Sequence, residues 1–213
     1  MTHFVLDKNP KLDFEQNFSD FTKIIDSNPL NLIIHSDAFL KLNFINKIIQ
    51  TSNLPVIYLD LDLLFSGYIA SDTISKNPNV TLYQPNRTNL LETIKKIMVE
   101  ISERKCMLVI DSLNSMFNFY HENKDAGRFV NSIIMLFGSV AKNSKSKVIV
   151  SGMARRKNNE EWVLSITGRH VIDSKQMNLI KLERQNTNFM ANFLDEKAIP
   201  KKSFNFKIGS EMF

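Results

Sequence analysis

Apolar residues recur along the first 150 positions with two alternating patterns, and each pattern predicts a different kind of element. Steps of three and four residues, as among Phe14, Phe18, Phe21 and Ile25, are typical of an amphipathic helix. Asn89-Leu90-Leu91-Glu92 has the spacing of a capping box, which predicts the start of another helix. The predicted helices cover residues 13–25, 39–50, a stretch from Asn89 to Ile101, and 125–142, with a short helix or loop at 63–71.

Short continuous apolar runs separate these helices and predict buried strands. The runs lie at Leu30–Ile34, Val56–Leu61, Val80–Tyr83, Met107–Ile110 and Val148–Val150. Helices that alternate with strands of this kind predict an α/β fold with a parallel sheet covered on both faces. From Trp162 onward the pattern changes to strand-like runs separated by polar turns, which predicts antiparallel hairpins at one sheet edge.

Composition is that of a globular protein, with 43% apolar and 23% charged residues and no apolar run of membrane-spanning length. Residues 1–12 lack the apolar segment of a cleavable signal, and a lone cysteine, Cys106, suits a reducing compartment. We therefore expect a cytoplasmic protein without a membrane partner. The net charge is +5, and residues 142–157 hold six basic residues and no acidic one. Such a cluster is compatible with a polyanionic partner, although a solvated basic face is the commoner explanation.

Chemically active residues follow three of the predicted strands. "HSDAFLKL", residues 35–42, leads from the first strand into a helix, and Lys41 falls where the motif G-x-x-x-x-G-K-[ST] places its lysine. Asp60 and Asp62 follow the second strand, and Asp111 closes the fourth. Ligands of open parallel sheets bind beyond the carboxyl ends of the strands, so these residues are expected to meet there. A carboxylate at the end of an apolar strand, downstream of a phosphate-loop position, is what a magnesium–nucleotide site requires.

This order of motifs resembles the RecA/RadA recombinase family, the RecA-like P-loop ATPase core, over residues 30–194. The runs from Trp162 to Leu194 match the antiparallel extension of that family. The resemblance implies a RecA-like three-layer sandwich with a mostly parallel sheet and a C-terminal antiparallel hairpin extension. We expect one such domain over residues 1–213, with short extensions at both ends.

Individual motifs of that family are retained unevenly. "CMLVIDSLNSMF" closely resembles the Walker B strand, which implies a metal-side role for Asp111 with Ser112 beside it. "PVIYLDLDLLF" looks like the second strand, and Asp62 stands where the family has the acid that activates the hydrolytic water. "SKVIVSGM" matches the following strand, but Gly152 and Met153 replace the polar pair that senses nucleotide.

The phosphate loop itself is degenerate, because both glycines and the hydroxyl residue of the motif are missing. The vestigial Walker A positions are His35, Leu40, Lys41 and Leu42. Forcing a residue other than glycine into left-handed backbone geometry costs about 1–2 kcal/mol. Two lost glycines therefore remove about 2–4 kcal/mol, which takes a micromolar ligand towards millimolar affinity. We expect no hydrolysis and no tightly bound cofactor, with Asp62 and Asp111 as vestigial catalytic positions; Mg–ATP binding by an atypical loop is the alternative.

Two segments are candidates for nucleic-acid contact by the same resemblance. The segment after the strand at 148–150 is a DNA-contacting loop in RecA-like proteins, and here it contains Arg155, Arg156 and Lys157. Residues 117–125 stand in the place of the other DNA loop and offer Tyr120 and Lys124. Aromatic stacking combined with basic phosphate contacts is how sequence-tolerant single-strand binding works. The alternative is a solvated basic loop with its aromatic residues in the core.

Other constellations are missing from the sequence. The four histidines show no ligand spacing with one another or with Cys106, so no metal site is predicted. Ser112 and Ser151 have no histidine at a meaningful spacing, which leaves a hydrolase triad unsupported.

Three functions stay open. The leading hypothesis is a non-hydrolysing RecA/RadA-like paralogue, an accessory or mediator subunit in DNA recombination or repair. Its expected partners are a RecA/RadA-type recombinase, another RecA-like subunit or single-stranded DNA. The alternatives are an ATP-binding RecA-like ATPase with an atypical loop, and a structural RecA-fold subunit of an Elongator-like complex. Stabilisation by Mg–ATP would favour the ATPase, and salt-dependent DNA binding would separate the mediator from the structural subunit.

Overall fold

The structure, a computed structural model, describes residues 10–157, 161–164, 177–186 and 188–207. Its helices are α1 (Pro10–Ser27), α2 (Ala38–Thr51), α3 (Leu64–Ala70), α4 (Leu90–Glu103), α5 (Leu113–Phe119) and α6 (Ala126–Ser144). Its strands are β1 (Leu30–His35), β2 (Val56–Asp60), β3 (Val80–Tyr83), β4 (Met107–Asp111), β5 (Lys147–Lys157), β6 (Glu161–Leu164), β7 (Met177–Gln185), β8 (Asn188–Leu194) and β9 (Pro200–Lys207). Within these ranges, every helix is too short or too polar to cross a membrane.

The strands form one sheet in the order β3-β2-β4-β5-β1-β7-β8-β9, with β6 paired to β5 outside this path. All neighbours from β3 to β7 along that order run parallel. Strands β8 and β9 continue the sheet in antiparallel fashion, as does the β5–β6 pair. The predicted α/β fold, with its mostly parallel sheet and C-terminal antiparallel extension, is confirmed.

Helices cover both faces of the sheet, which gives the molecule its three layers. Successive side chains of a strand point to opposite faces, and β4 shows the consequence. Met107 and Val109 enter the apolar cluster beneath α1, α2 and α3, whereas Leu108 and Ile110 enter the cluster beneath α4, α5 and α6. Strands that are apolar on both sides are therefore explained by burial against two helical layers.

Aromatic side chains tie the first helix to the last strand. The ring of Phe21 on α1 lies 5.0 Å from that of Phe44 on α2 and 5.6 Å from that of Phe204 on β9, centroid to centroid. Phe189 and Phe206 stack at 5.0 Å in the same cluster.

Strand β9 was absent from the sequence-based expectation because its start, "PKKS", is polar and exposed. Its buried residues alternate with polar ones, as is usual for a strand with one solvated face.

The predicted capping box at Asn89 is wrong, although the helix it was meant to open does begin at Leu90. Asn89 makes no side-chain hydrogen bond to the first turn of α4. Its Oδ1 instead accepts from the backbone N–H of Asn86 at 2.8 Å, inside the preceding turn. The turn competes for the side chain that would otherwise cap the helix.

Candidate functional site

The connection between β1 and α2 is too short to wrap a phosphate. Strand β1 ends at His35 and α2 begins at Ala38, so only two residues lie between them. The backbone N–H of Lys41 donates to the carbonyl of Asp37 at 3.1 Å, which places Lys41 in the first turn of the helix. Leu40 and Leu42 are buried in the core beneath α2. The three positions predicted to be a vestigial Walker A motif, Leu40, Lys41 and Leu42, thus belong to a helix rather than to a loop.

A carboxylate of the chain itself occupies the amino end of this helix. The Oδ1 atom of Asp37 accepts from the backbone N–H of Leu40 at 3.0 Å and caps α2. Its Oδ2 atom pairs with Arg184 Nη1 at 3.3 Å. The amino end of a helix attracts anions through its free N–H groups and its dipole. With the Asp37 carboxylate in that position, a phosphate would either have to displace it or bind beside a like charge.

Lys41 and Asp111 form an ion pair in the interior, beneath the carboxyl edge of the sheet. Lys41 Nζ lies 2.7 Å from Oδ1 and 2.6 Å from Oδ2 of Asp111, and the two side chains are 1% and 0% exposed. The Tyr58 hydroxyl donates to Oδ2 at 2.6 Å, and the Ser151 hydroxyl donates to Oδ1 at 2.5 Å. A carboxylate offers about four acceptor positions, and all four are used here.

The charge state of this network follows from its contacts. Burial by itself raises the pKa of Asp111, but the charge of Lys41 and the hydrogen bonds from Lys41, Ser151 and Tyr58 outweigh it. The pKa of Asp111 is therefore held below its usual value, and the carboxylate is ionised at neutral pH. Burial and the adjacent Asp111 carboxylate raise the pKa of Tyr58 well above its usual value, so its hydroxyl remains a donor.

Two more carboxylates lie beside this pair, as the sequence predicted. One carboxylate oxygen from each of Asp60, Asp62 and Asp111 lies within 4.8 Å of the other two. Asp60 is fully buried and accepts the backbone N–H of Ser66 at its Oδ2, 2.8 Å away. Asp62 lies at the surface, but desolvation of its carboxylate and repulsion from Asp111 raise its pKa to about 6.

His35, the first position predicted to belong to the vestigial loop, is also buried at the end of β1. Its Nδ1 atom has no hydrogen-bond partner among the described residues. Burial, together with the positive charge of Lys41, lowers the pKa of His35 to about 4. The imidazole is consequently neutral at pH 7, and it fills space where the motif has a glycine.

Neighbouring positions of the resemblance are explained by packing. Ser112 caps the short helix α5, its side chain accepting from the backbone N–H of Ser115. Gly152 and Met153 lie at the end of the parallel part of β5, opposite Ile34 and His35 of β1. Met153 is 47% exposed and offers no polar side-chain group to a nucleotide.

The basic residues predicted to form a DNA loop lie in a strand. Arg155, Arg156 and Lys157 belong to β5, and their backbone pairs with Val163, Trp162 and Glu161 of β6. The expectation of a loop at these three positions is therefore wrong, because the hairpin extends β5 beyond the parallel sheet. Their side chains, and residues 158–160, lie outside the described part of the structure. Contact with nucleic acid by this triplet stays a prediction.

The second predicted nucleic-acid segment is only partly exposed. Tyr120 follows α5, and its ring meets that of Phe129 edge-on at 4.7 Å, against the core beneath α6. Phe117 is buried in the same core. Lys124 is exposed in the connection from α5 to α6. The structure therefore favours packing roles for the aromatic residues and leaves Lys124 as a solvated cation.

Sequence reasoning placed Lys41 and the three aspartates together, but it missed Tyr58 and Ser151. Both are polar residues inside or directly after an apolar strand run, "VIYLD" and "VIVS", and that was the available signal. A buried polar side chain needs a partner, so each pointed to a polar group at the same sheet edge.

No family model matches the chain, and no curated protein sequence matches it.

Proposed function

We propose that this chain is a non-hydrolysing RecA/RadA-like paralogue that acts as an accessory or mediator subunit in DNA recombination or repair. It works through binding a RecA-like partner, and not through turnover of ATP. The observation that carries this proposal is the buried pair of Lys41 and Asp111. The lysine and the Walker B carboxylate that a nucleotide site would use are bound to each other.

The pair cannot be redirected to a nucleotide at low cost. If Lys41 turned towards a phosphate, Asp111 would stay buried without its ammonium partner. Breaking a buried ion pair in this way costs about 3–5 kcal/mol. Each 1.4 kcal/mol is a tenfold change in affinity, so this term alone weakens nucleotide binding by about two to four orders of magnitude. The short connection before α2 and the carboxylate of Asp37 add to the penalty.

The same sheet edge offers a protein partner an apolar surface. Phe39 follows β1, Leu63 follows β2, and Met153 lies near the end of the parallel part of β5; all three are exposed. Leu63 is 56% exposed and adopts a left-handed backbone conformation with φ 60°. That conformation costs a residue other than glycine about 1–2 kcal/mol, and such strain concentrates at functional positions. A protein surface suits this edge better than DNA, because the edge also carries Asp37 and Asp62.

Single-stranded DNA is the second expected ligand, and the basic residues that follow Met153 in β5 are its candidate contacts. The run from Arg155 to Lys157 supports it, since three basic residues on one hairpin place positive charge where the backbone phosphates of a single strand can be attracted. The assignment to recombination or repair rests on the resemblance of the Walker B segment to the RecA/RadA family.

The test has two arms on the purified full chain. Release of phosphate from ATP is measured for the wild type and for Asp111→Asn, and association with a purified RecA/RadA-type recombinase is measured by calorimetry. We expect equal background turnover in both proteins, and saturable binding to the recombinase that Leu63→Asp abolishes. Turnover that Asp111→Asn removes would refute the non-hydrolysing assignment. Absence of recombinase binding would refute the mediator role and favour a structural subunit.

A further inference from the structure

The acidic group at the sheet edge contains more carboxyl groups than cationic partners in the part of the chain that the structure describes. Asp60, Asp62 and Asp111 contribute three carboxylates whose oxygens approach one another within 4.8 Å. Lys41 supplies one ammonium group, and it is fully engaged with Asp111. His35 is neutral at pH 7, since its pKa is lowered to about 4. Among these residues, Asp60 and Asp62 are therefore left without a cationic partner.

Asp60 provides an independent indication that a ligand belongs here. Its side chain is 0% exposed, so water does not compensate it from bulk solvent. Its Oδ2 accepts from Ser66, but its Oδ1 has no hydrogen-bond partner among the described residues. Buried carboxylate oxygens are nearly always paired, and an orphan one calls for an unseen ion or water.

Asp111 contributes charge to the site rather than a ligand atom. Both of its oxygens already accept two hydrogen bonds each, from Lys41 with Ser151 and from Lys41 with Tyr58. Among the described residues, the acceptor atoms left for a ligand are therefore Oδ1 of Asp60 and the carboxylate of Asp62, whose Oδ1 accepts the backbone N–H of Leu64 at 3.2 Å. Asp62 is exposed, so an ion can enter from solvent past it and keep part of its water shell.

We propose that Asp60 and Asp62 bind a divalent cation of the Mg²⁺ and Mn²⁺ class without any nucleotide. Mg²⁺ is commonly held by one or two carboxylates together with several waters, which is the ligand set available here. The bound ion balances the carboxylates of Asp60 and Asp62, and it holds in place the segment between β2 and α3, which contains Leu63. This site needs no phosphate group, so its existence does not depend on the proposed function.

The experiment uses Mn²⁺ alone as the probe, in nucleotide-free buffer at neutral pH. Loss of the free Mn²⁺ resonance signal on titration gives the affinity and the number of ions per chain, and Mg²⁺ is added afterwards as a competitor. Asp62→Asn removes one ligand at the surface, and Asp72→Asn makes the same change at an exposed aspartate outside the cluster. We expect one Mn²⁺ per wild-type chain, displaced by Mg²⁺, with affinity at least tenfold weaker in Asp62→Asn and unchanged in Asp72→Asn.

Melting temperature supplies a second readout that a simple folding defect would not reproduce. Asp62→Asn relieves carboxylate repulsion, so the ion-free variant should melt at a higher temperature than the ion-free wild type. Mn²⁺ should then raise the melting temperature of the wild type and of Asp72→Asn, but not that of Asp62→Asn. No binding at millimolar Mn²⁺, or equal binding by wild type and Asp62→Asn, would overturn the proposal. Stabilisation by mild acid without Mn²⁺ binding would overturn it as well, because a shared proton would then balance the carboxylates.

Discussion

Replacing Lys41 by methionine tests whether the lysine stabilises the folded protein through its ion pair with Asp111 or is available to bind a phosphate. Methionine keeps the unbranched shape of the side chain and removes only the ammonium group. In the wild type, Nζ lies 2.6 Å from the nearer Asp111 oxygen, and both side chains are at most 1% exposed. Unit charges about 3 Å apart attract by about 5–6 kcal/mol at an effective dielectric constant near 20.

The expected loss of stability is smaller than this attraction, because Asp111 can take up a proton once its partner is gone. Removal of one member of a buried ion pair lowers the free energy of unfolding by about 3–5 kcal/mol. Urea denaturation at pH 7 measures the change as a lower midpoint with an unchanged slope. Combining Lys41→Met with Asp111→Asn should restore at least half of the loss, since replacing both charges is often nearly neutral.

Lys23→Met serves as the matched control. Lys23 also pairs with an aspartate, Asp20, but the two side chains are 69% and 43% exposed. A surface pair of this kind contributes about 0–1 kcal/mol. A loss below about 1 kcal/mol for Lys41→Met, equal to that of the control, would refute the buried pair as a structural element.

Three further predictions concern the same interior. Because the pKa of His35 is lowered to about 4 from an ordinary value of 6.5, the unfolded chain binds the extra proton first. Stability should therefore decline as pH falls from 6.5 towards 4, by about 3 kcal/mol, and a pH series of urea melts on His35→Gln should lack that decline. Tyr58→Phe removes a hydrogen bond to a buried carboxylate and should lower the free energy of unfolding by about 1.5–3 kcal/mol, as measured by urea melts. Phe21→Ala should lower it by about 3–5 kcal/mol by emptying the aromatic cluster between α1 and β9, and a loss under 1 kcal/mol would contradict that packing.

Much of the fold could be predicted because its strands are buried on both faces. A run such as Met107 to Asp111 is apolar throughout and ends at a charge, so both its existence and its end are visible in the sequence. Strand β9 escaped prediction because an exposed edge strand can begin with polar residues, as Pro200 to Ser203 do. The capping box failed for a different reason, since a local turn captured Asn89.

The residues of the candidate site could be predicted from the sequence, but the hydrogen bonds and ion pair among them could not. Strand ends of a parallel sheet meet at one edge, which brought Lys41, Asp62 and Asp111 together before the structure was known. Spacing along a helix does not reveal whether a lysine points outwards or into the interior. The partners that hold it inward, Tyr58 and Ser151, come from two other strands. Only the tertiary structure shows that Lys41, Tyr58 and Ser151 all donate hydrogen bonds to Asp111.

The proposed function requires that the protein's own charged groups fill the place where a triphosphate would bind. A crystal structure of the chain soaked with Mg²⁺ and a non-hydrolysable ATP analogue at millimolar concentration tests it most directly. We expect Lys41 Nζ to remain within about 3 Å of both Asp111 oxygens, the usual length of an ionic hydrogen bond, with no triphosphate density at residues 35–42. Triphosphate density enclosed by that segment, with Lys41 turned away from Asp111 towards it, would show that the site binds nucleotide and would refute the proposed function.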